Sequence, residues 1–257
     1  MGGTPLAGRH AVVTGGGSGI GRAVALSLAR LGAAVTVMGR RRERLDGTVA
    51  ALGAGHGAQA CDVTDQDSVA RAFAQAAEAL GPVAILVNNA GIAQSAPFGR
   101  TDRAMLDGIM ATNLTGPWLC TQAVLPGMLA AGWGRVVSVA STAGLIGYAY
   151  VSAYCASKHA VIGLTRSLAL ETARSGVTVN AVCPGYVETE IVQEAIANIV
   201  AKTGRSVDEA RASLTERNPQ KRLIQPEEVG EAVAWLCLPA SASITGQAIP
   251  VAGGEVM

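Results

Sequence analysis

The sequence predicts an α/β fold with one doubly wound domain of about seven parallel strands, helices on both faces and a small helical lid. Short apolar runs alternate with helical patterns along the whole chain. The runs are continuously apolar, as in strands buried on both faces, rather than alternating. No Pro- or Ser-rich linker and no internal repeat divides the 257 residues, so the domain spans 1–257, with the lid at about 189–225.

Each element follows from local signals. His10–Thr14 is a strand that runs into glycines, and Ser18–Leu31 then reads as a helix. Ala34–Met38 is a second strand, Arg41–Leu52 a helix, Ala58–Cys61 a third strand, and Gln66–Leu80 a helix. Val83–Val87 is the fourth strand, followed by a long helical region over roughly Arg103–Ala131. Gly134–Ala140, Val177–Val182 and Gln247–Val251 complete the strands; Ser152–Ser175 and Gln225–Leu236 complete the scaffold helices. The lid reads as Glu190–Val200 and Ser206–Arg217, with mixed charge on a solvated face.

Composition narrows the function classes. Hydrophobic residues make up 49% and charged ones 15%, which supports a core and opposes disorder. A net charge of +1 gives no pull toward nucleic acid or an anionic membrane, and no apolar run predicts a membrane span. Cys61, Cys120, Cys155, Cys183 and Cys237 form no C-x-x-C pair, and His10, His56 and His159 are scattered, so no metal site is expected. Dispersed thiols, odd in number, point to a reducing, cytoplasmic setting. The start Met1-Gly2-Gly3-Thr4-Pro5 lacks a secretion pattern, and Leu6 breaks the myristoylation motif.

Ligands in doubly wound sheets bind beyond the carboxyl ends of the strands. The first such end is Thr14-Gly15-Gly16-Gly17-Ser18-Gly19-Ile20-Gly21, where backbone N–H groups and a helix amino end could cradle a pyrophosphate. At the second, Met38-Gly39-Arg40-Arg41-Arg42, no acid is present to hold a ribose 2′-hydroxyl. An arginine would instead pair bidentately with a 2′-phosphate. Arg40, supported by Arg41, therefore favours NADP(H), with NAD(H) the alternative.

Tyr154 and Lys158 lie four residues apart, about one helical turn, so they share a helix face, and Ser141 precedes the tyrosine by thirteen residues. A cation near the phenol is expected to lower its pKa and tune it for proton exchange with an alcohol or ketone. A serine hydroxyl could hydrogen-bond the reacting oxygen.

Together these residues resemble the short-chain dehydrogenase/reductase family in its single-domain form, over nearly the whole chain. The motifs are Thr14-Gly15-x-x-x-Gly19-x-Gly21, Cys61-Asp62-Val63, Asn88-Asn89-Ala90-Gly91, Asn113-Leu114, Ser141, Tyr154-x-x-x-Lys158 and Pro184-Gly185. The resemblance implies a Rossmann-type fold and residue roles. Asp62 and Val63 would border the adenine, and Asn89, Ala90 and Gly91 would close the fourth strand end beside the cofactor. Asn113 would hold a kink and a water in a proton relay to Lys158, which would also bind the nicotinamide ribose. Val187 and Thr189, after Pro184-Gly185, would bind the carboxamide; Ser141 would stabilise the substrate oxygen and Tyr154 would be the acid/base. Ala252 departs from the aspartate of many members.

The stretches Cys183–Thr189, Ile224–Val229 and Ser157–Val161 resemble 3-oxoacyl and polyketide ketoreductases, and the Pro-Gly region also resembles 3-hydroxybutyrate dehydrogenases. The resemblance implies reduction of a 3-oxoacyl thioester or β-keto compound by NADPH. The alternative is an NAD(H)-dependent dehydrogenase of a small secondary alcohol or hydroxy acid, and a non-catalytic dinucleotide-binding protein is a third reading. The two long helical regions imply a homotetramer, since family members commonly pair them across subunits.

Overall fold

The computed structural model describes residues 4–257; Met1–Gly3, part of the segment read above for targeting patterns, lie outside the described residues. Seven strands form one parallel sheet: β1 (His10–Thr14), β2 (Ala34–Gly39), β3 (Gly57–Ala60), β4 (Val83–Asn88), β5 (Gly134–Val139), β6 (Val177–Pro184) and β7 (Ala248–Val251). The spatial order is β3-β2-β1-β4-β5-β6-β7, so chain direction across the sheet reverses between β1 and β4. That reversal marks the crevice in which ligands of such sheets bind.

The helices are α1 (Gly19–Arg30), α2 (Arg42–Leu52), α3 (Gln66–Leu80), α4 (Arg103–Met110), α5 (Gly116–Ala130), α6 (Ser152–Thr172), α7 (Glu190–Thr203), α8 (Val207–Thr215) and α9 (Pro226–Cys237). They cover both faces. One apolar core joins β1, β2, β4 and β5 to α1 and α9 through residues such as Val13, Leu28, Val35, Val87 and Val233. The other packs α3 and α5 on the opposite face through Val69, Phe73, Cys120, Val124 and Met128. Sequence-level caps fix the helix starts. The Asp65 carboxylate accepts from Asp67 N and Ser68 N, and Ser206 with Glu209 forms a capping box on α8.

The expected helix over 103–131 is broken. A π-turn spans Ala111–Thr115 between α4 and α5. Its inward residue, Asn113, is buried and bonds both the N–H and the carbonyl of Ile92, which pulls one wide turn into the helix. Burial also leaves Asn113, the acceptor position of a glycosylation-like Asn113-Leu114-Thr115 triplet, inaccessible. No described helix is long and apolar enough to cross a membrane. All five cysteines are free and buried.

After β6, α7 and α8 pack on a small apolar cluster of their own, Val192, Ile196, Ala210 and Leu223. On the scaffold, α1 and α9 approach closely at Gly230, where a Cβ would lie 3.0 Å from both Ala23 O and Ser27 Oγ. Gly230→Leu should therefore push the two helices apart and cost about 1–3 kcal/mol in denaturant unfolding, overpacking outweighing the added apolar area.

Candidate active site

The crevice is built around Thr14, at the end of β1. Its hydroxyl accepts from Asn89 N at 3.0 Å and Ala90 N at 3.1 Å, just past β4. The Asn89 amide donates back to Thr14 O at 3.0 Å and Gly15 O at 3.1 Å. The glycine turn is thereby pinned to the end of β4. At Gly21 a Cβ would collide with Gly15 O and with the Asn89 amide, so α1 can start this close to the strand only with glycine there. Gly15 is left-handed (φ 63°), and a Cβ there would lie 2.8 Å from Asn89 Nδ2.

Other residues expected at the cofactor edge line the same rim. A Cβ on Gly17 would lie 2.9 Å from Arg44 Cβ, and one on Gly19 would lie 3.1 Å from Thr189 Cγ2. Ser18 starts α1 in an extended conformation with no side-chain cap, and Ile20 packs partly into the core. The start of α7 thus faces the glycine turn. An ion pair between Arg44 of α2 and Glu190 of α7 spans the gap beside it. Val187 is buried and pairs as an isolated parallel bridge with Ile224; Thr189 Oγ1 donates to Val187 O at 3.2 Å.

A cleft of about 380 Å³ opens at the ends of β2 and β3, lined by Arg40, Cys61, Asp62, Ser68, Arg71 and Gln75 among others. Arg40 lies where the sequence expects it. Arg41 is not among the lining residues; it occupies the N-cap position of α2. The Asp62 carboxylate is drawn below its usual range by the Thr64 N–H and hydroxyl, with Arg40 a smaller contribution. Val63 is buried against Gly116, at the start of α5. Arg71 is a guanidinium that sequence reading missed, because nothing in the α3 pattern marks which polar position faces β3. Two guanidiniums and a tight glycine cradle, with no free acid at the end of β2, suit a phosphorylated dinucleotide.

On the other side of the crevice, Ser141 ends the segment after β5, and Tyr154 and Lys158 share one face of α6. The Ser141 hydroxyl stands beside the Tyr154 phenol, close enough to oppose the effect of burial on it. Lys158 is 5% exposed, and its ammonium donates to Val139 O at 2.9 Å. A Cβ on Gly91 would lie 3.3 Å from Asn113 Oδ1 and 3.6 Å from Lys158 Nζ, so glycine leaves that corner open. Asn113 Nδ2 also donates to Ser157 Oγ at 3.1 Å, and Ser157 donates to Tyr154 O at 2.8 Å. Pro184 and Gly185 follow at the end of β6, with Ala252 packed against Gly185.

One expectation is corrected here. The lysine was expected to lower the tyrosine pKa. Burial is the dominant influence and pushes the Tyr154 phenol up, with the neighbouring Ser141 hydroxyl opposing it. Lys158 stands 5.7 Å from the centre of the ring, with its charge committed to Val139 O. Lys158 is itself pulled down to about 8 by desolvation. Cys155, next to Tyr154 in the chain, is packed at the buried boundary.

Comparison with known proteins shows the family of the chain. Residues 9–199 match the family described as short chain dehydrogenase, and the chain belongs to that family. It is 43% identical to a cis-4-hydroxycyclohexanecarboxylate dehydrogenase of Sinomonas cyclohexanicum, over 98% of each chain. It is 37% identical to the 3-oxoacyl-(acyl-carrier-protein) reductase of Vibrio cholerae, over 98% of this chain and 99% of that one. A solved structure of an actinorhodin polyketide ketoreductase variant with NADPH superimposes with a TM-score of 0.92 at 40% identity, covering 96% of this chain and 97% of the other.

The buried ammonium has a measurable cost. Its folded pKa of about 8 lies below the unfolded value of 10.5, so the penalty is fully present below pH 8 and disappears as pH rises toward 10.5. At one unit per 1.36 kcal/mol this amounts to about 3 kcal/mol. Lys158→Met should therefore melt higher than the parent at pH 7, and the gap should narrow steadily between pH 8 and 10. A gap independent of pH would contradict the buried charge.

Proposed function

We propose that this chain reduces a ketone to a secondary alcohol with NADPH, and that its substrate is a 3-oxoacyl thioester or related β-keto compound. The observation that carries the reading is Tyr154: a buried phenol with raised pKa, beside the Ser141 hydroxyl, on the helix face that also holds Lys158. The dinucleotide, when bound, supplies the hydride. A phenol that keeps its proton at neutral pH is suited to act as an acid, protonating the oxygen of the reduced carbonyl. Ser141 donates to that oxygen as negative charge develops. Lys158 supplies the replacement proton through a water that Asn113 holds, and Lys158 also binds the ribose hydroxyls; Gly91 leaves room between the two side chains.

Cofactor preference is assigned to Arg40, with Arg71 across the same cleft as a second cation for the 2′-phosphate and Arg41 in support at the rim. The glycine turn from Gly15 to Gly21 takes the pyrophosphate, Asp62 and Val63 the adenine edge, and Asn89, Ala90 and Gly91 the centre. Pro184, Gly185, Val187 and Thr189 take the carboxamide side. The similarity to a 3-oxoacyl reductase and to an NADPH-bound polyketide ketoreductase supports the thioester and β-keto classes. The similarity to a cyclic hydroxy-acid dehydrogenase makes a cyclic keto acid the control substrate.

The segment at 189–225 is read as the lid, since α7 begins against the glycine turn and has its own small core. A homotetramer is supported by apolar side chains left exposed on the helices expected to pair: Trp118 (49%), Leu129 (42%) and Leu170 (82%). Free buried thiols fit a cytoplasmic setting.

A panel of β-keto thioesters, β-keto esters and cyclic keto acids with NADPH and NADH, followed by nicotinamide absorbance, tests the reading. Tyr154→Phe is expected to lose about 100-fold or more in kcat; full turnover in that variant would end the proposal. Arg40→Asp is expected to weaken 2′,5′-ADP binding about 10- to 100-fold in calorimetry, the range for lost charge-assisted bonds, and to leave 5′-ADP binding nearly unchanged. Because the Tyr154 pKa is raised, reduction should hold level through neutral pH, whereas oxidation of the product alcohol needs the phenolate and should climb as pH rises. A pH-independent oxidation rate would count against Tyr154 as the titrating group.

A further inference from the structure

We propose that Glu255, in the carboxyl-terminal tail, is a positioning residue for Ser141, acting through Tyr148 and Thr142; this rests on the reading of Ser141 as donor to the substrate oxygen. The Tyr148 phenol oxygen lies 2.6 Å from Glu255 Oε1 and 2.9 Å from Thr142 Oγ1. A phenol has one proton, and an ionised carboxylate can only accept. The phenol therefore donates to Glu255, at a length typical of a charge-assisted O–H···O⁻ bond. It must then accept from Thr142. The chain of donors runs one way, from Thr142 through Tyr148 to Glu255, and such aligned chains reinforce one another.

Thr142 follows Ser141 and opens the tight turn Thr142–Gly144. Ser141 caps that turn: its Oγ accepts from Ala143 N at 3.1 Å and its carbonyl accepts from Gly144 N at 2.9 Å. With one lone pair of Ser141 Oγ engaged by Ala143 N, its own proton is left free for the substrate oxygen. The far side of the turn is clamped by α6, since a Cβ on Gly144 would lie 2.8 Å from Lys158 O. Thr142 is the point at which the near side can be held, and it is buried.

Glu255 is itself anchored. Its Oε2 lies 3.1 Å from where a Cβ on Gly185 would stand, and its N–H donates to Ala252 O at 3.1 Å. Gly253, with φ 60°, lets the tail turn tightly over Asn218. The tail therefore ties the end of β6 to the segment that carries Ser141. Arg217, 5.3 Å over the Tyr148 ring, covers the phenol from the α8 side.

The test measures NADPH oxidation with 3-oxobutanoyl-N-acetylcysteamine, a short β-keto thioester, on Glu255→Ala, Glu255→Gln, Tyr148→Phe and the Ala/Phe double variant. Each of Glu255→Ala and Tyr148→Phe is expected to lower kcat about tenfold with KM for NADPH unchanged, and the double variant should be no worse than either, because the two act as one unit. Glu255→Gln keeps an acceptor oxygen and should recover most of the rate. Tyr148→Phe removes a single oxygen and preserves packing, so it decides the matter if Glu255→Ala melts early. A Glu255→Ala kcat within twofold of the parent, or losses that multiply in the double variant, overturns the proposal. Ser141→Ala is run alongside: full turnover there would instead remove the underlying reading of Ser141.

Discussion

Everything on the binding edge depends on the Thr14–Asn89 lock between the ends of β1 and β4. These are the two strands between which the sheet order reverses. Connections leave them in opposite directions, so a crevice opens where they part. Without cross-bonds, the exposed carbonyls and N–H groups at that split would be left to water and the two loops could drift. One threonine hydroxyl and one carboxamide satisfy five backbone groups around the split, those of Thr14, Gly15, Val87, Asn89 and Ala90. The glycine turn for the dinucleotide and the Gly91 corner beside Lys158 are thus fixed to one reference point.

The second constraint is electrostatic. Tyr154 and Lys158 are both shifted toward their neutral forms by the same burial, one upward and one downward. A neutral phenol is a proton donor ready at neutral pH, which matches reduction. The lysine is held in reserve rather than aimed at the phenol, because its ammonium satisfies a strand-end carbonyl. The arrangement trades stability for reactivity, as functional sites commonly do.

Fold and chemistry were legible in the sequence to different depths. Strands, crossovers and the catalytic helix could be read because apolar runs, glycines and a one-turn spacing are local signals. The sense of the Tyr154 shift was not legible, since it depends on burial and on where the Lys158 ammonium points, and both are tertiary facts. The break in the helix at Ala111–Thr115 follows from the long-range bonds of Asn113 to Ile92 together with Pro117, which has no N–H to give the Asn113 carbonyl; the proline was a local signal, the Ile92 partner was not. Arg71 and Glu255 were missed for a related reason. One is a polar residue on an amphipathic helix and the other lies in a short tail, and neither pattern says which way a side chain faces.

The two walls of the substrate side differ in stiffness. The α7–α8 pair is tied to the rest by ion pairs near the surface, Arg44–Glu190 and Arg211–Glu188, with side chains 26–59% exposed in these two pairs. Exposed pairs contribute only about 0–1 kcal/mol each, and the cluster beneath the pair has four buried apolar residues. Such an element can open at low free-energy cost, which suits a cover that admits a substrate. The Ser141 wall is held otherwise: by a capped turn, by the backbone of α6 and by the Thr142–Tyr148–Glu255 chain. A group that must meet a developing charge within a few tenths of an ångström belongs on the stiff wall, and a surface that must adapt to an acyl chain belongs on the soft one. The Glu255 carboxylate, bonded to the stiff wall through Tyr148, lets the segment after β7 act on geometry at the reacting oxygen while the cover moves independently.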